Sequence, residues 1–254
     1  MSIDAAPRPA ATQRDAAARA VGAVKVYGRG QTEVRALDGI DVEFGAGRLT
    51  AIMGPSGSGK STLMHCLAGL DTLSAGAAYI GDTNLAQLSD NELTLLRRER
   101  VGFVFQAFNL IPTISAEENI ALPMRLGGVR PDPGWFDTVV DTVRLGDRLT
   151  HRPSELSGGQ QQRVAVARAL VSQPEVVFAD EPTGNLDSRS GSEVLDFMRR
   201  SVDEFGQSIV MVTHDPIAAS HAHSVVFLAD GQVISHLDAP TADSVPDFMR
   251  AMGD

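Results

Sequence analysis

Along this chain the hydrophobic positions follow two periods, and the switches between them lay out the elements. Residues 21–27 and 36–44 alternate apolar and polar as half-buried strands do, with a polar bend at 28–32 between them. Residues 49–53, LTAIM, form an unbroken apolar run of strand length. A glycine-rich bend follows, and Leu63, Met64 and Leu67 then recur at helical spacing. After a turn at 71–76, a short strand is expected at 77–80. Residues 89–100 read as a helix, with Ser89 as its cap and Glu92 at the spacing where each side chain can satisfy the other residue's backbone N–H. The apolar run 101–105 is a strand that delivers Gln106.

From 107 to 150 the character changes to a polar loop with Pro112, a helix near 116–126, the breaker GGVRPDPG, and a helix at 135–145. A helical stretch between two strands predicts a lobe, approximately 107–158, inserted in a sheet domain, with Trp135 packing inside it. Ser157 opens a further helix through Val164, Ala167, Leu170 and Val171. Residues 176–179 form a buried strand ending in Asp180 and Glu181. A helix covers 190–205, and 208–213 is a second buried strand ending at His214. Residues 225–228 and 232–235 make a hairpin around Asp230-Gly231. Strands alternating with helices, and ending in polar residues, predict an α/β fold whose mostly parallel sheet gathers ligands at its carboxyl edge. Residues 1–19, rich in Ala, Pro and Arg, are expected to be a mobile tail. That leaves 20–236 as the domain and 237–254 as a C-terminal tail.

Composition narrows the partners. The formal charge of −10 speaks against nucleic acid, because binding to its backbone rests on clustered Lys and Arg. No run approaches the roughly 18 apolar residues of a membrane span, so the chain is expected in the cytoplasm, with any membrane work done through another polypeptide. The single cysteine, Cys66, is expected to be a small packing residue. The RRER end of the 89–100 helix reads as a solvated face, and His221, His223 and His236 as surface residues.

The candidate chemistry begins in the bend GPSGSGKST, residues Gly54, Pro55, Ser56, Gly57, Ser58, Gly59, Lys60, Ser61 and Thr62. Its glycines let the backbone wrap a polyphosphate with the amides turned inward, and the following helix adds its positive end. Lys60 would reach the β- and γ-phosphates of a nucleoside triphosphate, and Ser61 would ligate Mg²⁺. Asp180 would hold the metal, and Glu181 would orient or deprotonate the attacking water. Gln106 could reach Mg²⁺ or that water through its amide oxygen, and His214 could contact the γ-phosphate. The stretch LSGGQ gives a second anion site at Ser157, Gly158, Gly159 and Gln160, where exposed amides meet another helix start. For both sites to serve one triphosphate, either they converge within the chain or two chains share the nucleotide.

Taken in order, Tyr27, GPSGSGKST, Gln106, LSGGQQQR, VVFADEP, Asp187 and His214 closely resemble the ATP-binding subunit of an ABC transporter, from about residue 21 to 235. The phrases GFVFQAFNL, DEPTGNLDS and VMVTHD are most similar to the macrolide-export, lipoprotein-release and cell-division ATPases that work with FtsX-like permeases. The resemblance implies a P-loop NTPase core with an N-terminal antiparallel β part and an inserted helical subdomain. It further implies ATP hydrolysis with Mg²⁺ by a head-to-tail homodimer peripheral to the inner face of the cell membrane. Lys60, Ser61 and Thr62 of one subunit would then face Ser157, Gly158 and Gly159 of the other, with ATP between. Tyr27 would stack on adenine, Asp187 would lie in the loop bridging the two sites, and Gln106 would couple nucleotide state to the permease. Residues 108–119 would receive the permease's coupling segment. Two rivals share some motifs. A DNA-associated ATPase of the SMC or mismatch-repair type needs long heptad arms or added binding domains and a basic surface, and a nonhydrolytic nucleotide-switched module does not need Lys60, Asp180, Glu181 and His214 intact.

Overall fold

Two β-sheets and a set of packed helices make up the computed structural model, which describes residues 16–253. The strands β1 (Ala16–Tyr27) and β2 (Val34–Gly45) pair antiparallel, and β3 (Leu49–Met53) then leads through the glycine-rich bend into α1 (Lys60–Leu67). Next come β4 (Ala75–Ile80) and the short β5 (Thr83–Asn84), which join β1 in a sheet ordered β2-β1-β4-β5. Helix α2 (Asp90–Arg100) runs directly into β6 (Val101–Phe105). Three helices without an intervening strand follow: α3 (Ala116–Leu126), α4 (Pro133–Thr142) and α5 (Gly158–Leu170). Then come β7 (Val176–Asp180), α6 (Ser188–Phe205), β8 (Ile209–Val212), α7 (Pro216–Ser220), the hairpin β9 (Ser224–Ala229) and β10 (Gln232–Asp238), and α8 (Ser244–Gly253).

The second sheet has the order β10-β9-β3-β8-β7-β6, parallel throughout except for the β9–β10 hairpin. Its strands read as continuous apolar runs because both faces are covered, and the two-residue period divides their side chains between two cores. Leu49, Ala51, Met53, Val177, Ala179, Ile209, Met211, Val225 and Phe227 pack with α3, α5 and α6 on one side. Ile52, Val176, Phe178, Val210, Val212, Val226 and Leu228 pack on the other with α1 and the antiparallel sheet. The register sets Ile52 beside Val212, Val212 beside Asp180, and Asp180 beside Phe105. The carboxyl ends of β3, β8, β7 and β6 therefore stand in one row, and that row carries the chemistry.

Several expectations are corrected. β1 begins at Ala16, inside the segment expected to be a mobile tail, and Ala17 and Ala18 are buried; residues 1–15 of that segment lie outside the described residues. Alanine carries little strand preference of its own, but Ala16 and Ala18 find ladder partners in Gly45, Phe44 and Ile80. Beyond residue 236, β10 continues to Asp238 and α8 packs back on the core, with Phe248 stacked on Phe227 at 4.8 Å. Helix α4 starts earlier than expected because Asp132 accepts the Trp135 N–H at 2.8 Å and Pro133 fits the first helical position. Trp135 does pack, but against elements outside the expected lobe helices too: its indole donates to Leu170 O at 3.3 Å and meets Phe205 edge-on.

The RRER segment is no simple solvated face. Arg97 donates to Gly69 O at 2.6 Å. Arg100 grips Glu175 with two bonds of 2.8 and 2.9 Å and reaches Thr83 Oγ1 and Ile80 O, so it ties the two sheets together. Arg100→Met should lower unfolding free energy by about 2 kcal/mol in chemical denaturation, the partly exposed end of the range for breaking such a pair. A loss near zero would restore the solvated reading. His223 is likewise built in: its Nδ1 accepts the Leu49 N–H at 3.0 Å and its Nε2 lies 3.3 Å from Asp203. Burial pushes its pKa down.

Candidate functional site

The loop between β3 and α1 depends on glycine at two points. Gly54 has φ +150°, and a Cβ there would lie 2.0 Å from Leu228 O. Gly59, in the left-handed region at +99°, caps α1, and a Cβ there would lie 2.4 Å from Ala36 O. A larger residue at either position would push the loop off the strand and open its concavity. Pro55, Ser56 and Gly57 are exposed at the rim, while Ser58 is buried with its Oγ unpaired among the described residues. The Ser58 carbonyl accepts the Gly231 N–H at 3.1 Å, so the β9–β10 turn braces the loop from behind.

Lys60 folds back over this loop and donates to Gly54 O at 2.9 Å and Pro55 O at 2.8 Å. Burial pushes its ammonium below the ordinary lysine pKa, against the pull of Glu181 and Asp180. Ser61 Oγ lies 3.3 Å from Asp180 Oδ1. The β7 terminus thereby comes to the helix start 119 positions earlier in the chain. His65, one turn further along α1, sits 3.9 Å from the other Asp180 oxygen. Sequence reasoning passed His65 over, although its i,i+4 spacing from Ser61 puts both on one helix face.

Glu181 directly follows β7 with φ +46°, an uncommon conformation for a non-glycine residue, costing about 1–3 kcal/mol. Its N–H bonds Val212 O at 2.9 Å and its carbonyl accepts the Gly184 N–H at 3.0 Å, and these contacts hold the turn. The carboxylate meets His214 Nδ1 at 2.8 Å. Lys60, Ser61, Asp180, Glu181 and His214 thus form one cluster at the row of strand ends. Tyr27 ends β1, a strand that packs against α1.

Gln106 stands at the end of β6 and turns to a neighbouring loop. Its Nε2 donates to Asn185 Oδ1 at 3.2 Å, and Asn185 Nδ2 donates to Gln106 O at 2.9 Å. Neither Ser61 nor Asp180 bonds to Gln106 among the described residues. A partner 79 positions away left no local signal for Asn185. Asp187 caps α6, accepting the Ser190 N–H at 3.0 Å and its hydroxyl at 2.8 Å, contacts that hold its carboxyl below the ordinary pKa.

The LSGGQ segment forms the start of α5 through a reciprocal cap. Ser157 Oγ accepts the Gln160 N–H at 3.3 Å, and Gln160 Oε1 accepts the Ser157 N–H at 2.9 Å. Gly159 presses on Ser190, which a Cβ would meet at 2.9 Å. Ser157 and Gly158 are exposed, and no hydrogen bond or ion pair links this helix start to Lys60, Ser61, Asp180 or Glu181 among the described residues. Farther along α5, the buried Gln162 donates through one amide nitrogen to Phe105 O and Pro182 O, touching the loops that carry Gln106 and Glu181.

These residues suit a nucleoside triphosphate and a divalent cation. The loop has the glycine cradle and the lysine for phosphates, and a hydroxyl and a carboxylate oxygen side by side are the hard donors that Mg²⁺ takes.

Comparisons with known proteins agree with this chemistry. A family model described as ABC transporter matches residues 37–184. The chain is 44% identical over 214 residues to an uncharacterised ABC transporter ATP-binding protein of Methanocaldococcus jannaschii, covering 83% of this chain and 94% of that protein. It is 45% identical over 229 residues to the macrolide export ATP-binding/permease protein MacB 1/2 of Paracoccus denitrificans, covering 89% of this chain and 34% of that protein. The chain therefore spans about a third of that relative's length. Among solved structures, it superposes with a TM-score of 0.78 at 36% identity on a dimeric ATP-binding cassette captured after hydrolysis with ADP and Pi. That match covers 87% of this chain and 98% of that one.

Proposed function

The chain belongs to the ABC transporter family as an ATP-binding subunit with ATPase activity, and from that premise we propose that it works as a head-to-tail homodimer driving an FtsX-like permease. ATP closes the two copies, closure moves the permease, and hydrolysis reopens them. Export, lipoprotein release and transmission of force across the membrane are the outputs of this subgroup.

The observation that supports this reading is the exposed start of α5 at Ser157 and Gly158, beside the likeness to a dimeric ATP-binding cassette. Ser157 and Gly158 are exposed and form no hydrogen bond or ion pair with the Lys60 cluster among the described residues, so a triphosphate held by one copy leaves its far side for Ser157, Gly158, Gly159 and Gln160 of a second. Lys60 holds the phosphates in the loop 54–62. Glu181, aimed by His214, takes the proton of the attacking water. A bound Mg²⁺, held by Ser61 and Asp180, supplies neutralisation of phosphate charge. Gln106 reports on the site through its pairing with Asn185, and Asp187 lies at the joint between the copies. The described residues contain no helix long and apolar enough to cross a membrane.

Half of the charge stabilisation comes from the other copy, so the specific ATPase rate should rise with protein concentration. Sedimentation with hydrolysis disabled and ATP saturating should give a dimer. A species that stays single even with the permease present would overturn the proposal.

A further inference from the structure

Tyr27 ends β1 as an exposed ring, at 41% of its full accessibility, yet it is held at several points. Its hydroxyl donates to Asp71 Oδ2 at 2.7 Å. Lys25, two residues earlier and therefore on the same strand face, sets its ammonium 4.7 Å from the ring centroid. Lys25 also donates to Asp71 Oδ1 and to Thr72 O, and the Thr72 N–H fixes Asp71 Oδ1 again at 2.7 Å. Lys25 is 8% exposed, so this is a built assembly and not a solvated ion pair. Burial would raise the Asp71 carboxyl pKa, but the bonds from Lys25 and Tyr27 outweigh it and hold that pKa below the ordinary value.

An unanchored tyrosine at a strand end samples several rotamers, and binding must then order it. Here the carboxylate pins the far end of the ring, and the ammonium covers one π face, drawn there by the ring quadrupole. Strand β1, which Tyr27 ends, packs against the helix that starts at Lys60. A planar group attached to phosphates in loop 54–62 meets a ring with one open face.

We propose that Asp71 and Lys25 are positioning residues for nucleotide binding: Asp71 fixes the Tyr27 hydroxyl, Lys25 closes one face of the ring, and the base of the nucleotide is received on the other face alone. This rests on reading Tyr27 as the residue that stacks on the base.

The test is steady-state ATPase kinetics on the full chain, with inorganic tripolyphosphate as a base-free competitive inhibitor. Tyr27→Ala should raise KM for ATP about tenfold through lost stacking. Tyr27→Phe keeps the ring and loses only its anchor, and should raise KM about threefold to tenfold with kcat unchanged. Asp71→Ala should match Tyr27→Phe, and Asp71→Asn, which keeps an acceptor, should recover most of the loss. The tripolyphosphate inhibition constant should be unaltered throughout. Should Asp71→Ala fail to fold, Tyr27→Phe still decides, since it removes no charge. A raised KM in Tyr27→Ala with a normal KM in Tyr27→Phe would overturn the clamp and leave stacking intact. A normal KM in Tyr27→Ala would overturn stacking and the clamp with it. A tripolyphosphate constant that moves along with KM would mark a distorted phosphate loop and overturn the proposal.

Discussion

Glu181→Gln is expected to cut steady-state ATP turnover by about 10²–10⁴ while nucleotide binding survives. The two side chains match in shape, and glutamine keeps an oxygen for His214 Nδ1, now 2.8 Å from Glu181 Oε1. The backbone bonds to Val212 O and from Gly184 N–H do not involve the side chain, so the turn with φ +46° should persist. What is lost is the basicity that removes a proton from water. Phosphate release measured at saturating ATP reads this directly, and gel filtration of the same variant with ATP reads the closed dimer. An unchanged rate would remove Glu181 from the role of base and shift attention to His214.

Lys60→Met separates binding from stability. Methionine has similar length and no charge, so the loop loses its phosphate contact and ATP affinity should fall by about 100-fold or more, the scale of a charge-assisted contact in a partly dry site. The fold should not suffer equally. Lys60 pKa is depressed in the folded chain, chiefly by burial. Below that depressed value the folded chain carries the desolvation cost of an ammonium that the unfolded chain keeps in water, a cost relieved only as pH rises through the folded value. Removing the charge at neutral pH should therefore hold or raise the melting temperature, although the bonds to Gly54 O and Pro55 O are lost. A fall in both affinity and melting temperature would recast Lys60 as a structural clip for the loop.

Much of the architecture was legible from local pattern. Strand β3, strand β6 and helix α3 fall at the residues read from the apolar runs, and Ser89 and Glu92 form the reciprocal cap that their spacing implied. The Lys60, Ser61, Asp180, Glu181 and His214 cluster was legible because each strand of a parallel sheet delivers its next residue to the same edge. What escaped depends on partners remote in sequence. Ala16 to Arg19 become strand because Gly45, Phe44, Glu43, Tyr79 and Ile80 supply the ladder. Arg100 looks solvated until Glu175 arrives from the other side of the helical insertion. The Asp71 anchor of Tyr27 lies 44 positions away, and no spacing rule links the two.

One buried side chain governs how those loops can move. Gln162 is fully enclosed, and its amide nitrogen spans Phe105 O, at the last residue of β6, and Pro182 O, two residues past the end of β7. Parting the loops would strand that amide away from water at about 1–3 kcal/mol. Helix α5 therefore carries, one turn in from its exposed tip, a single enclosed amide that joins the backbone leading into Gln106 to the backbone leaving Glu181.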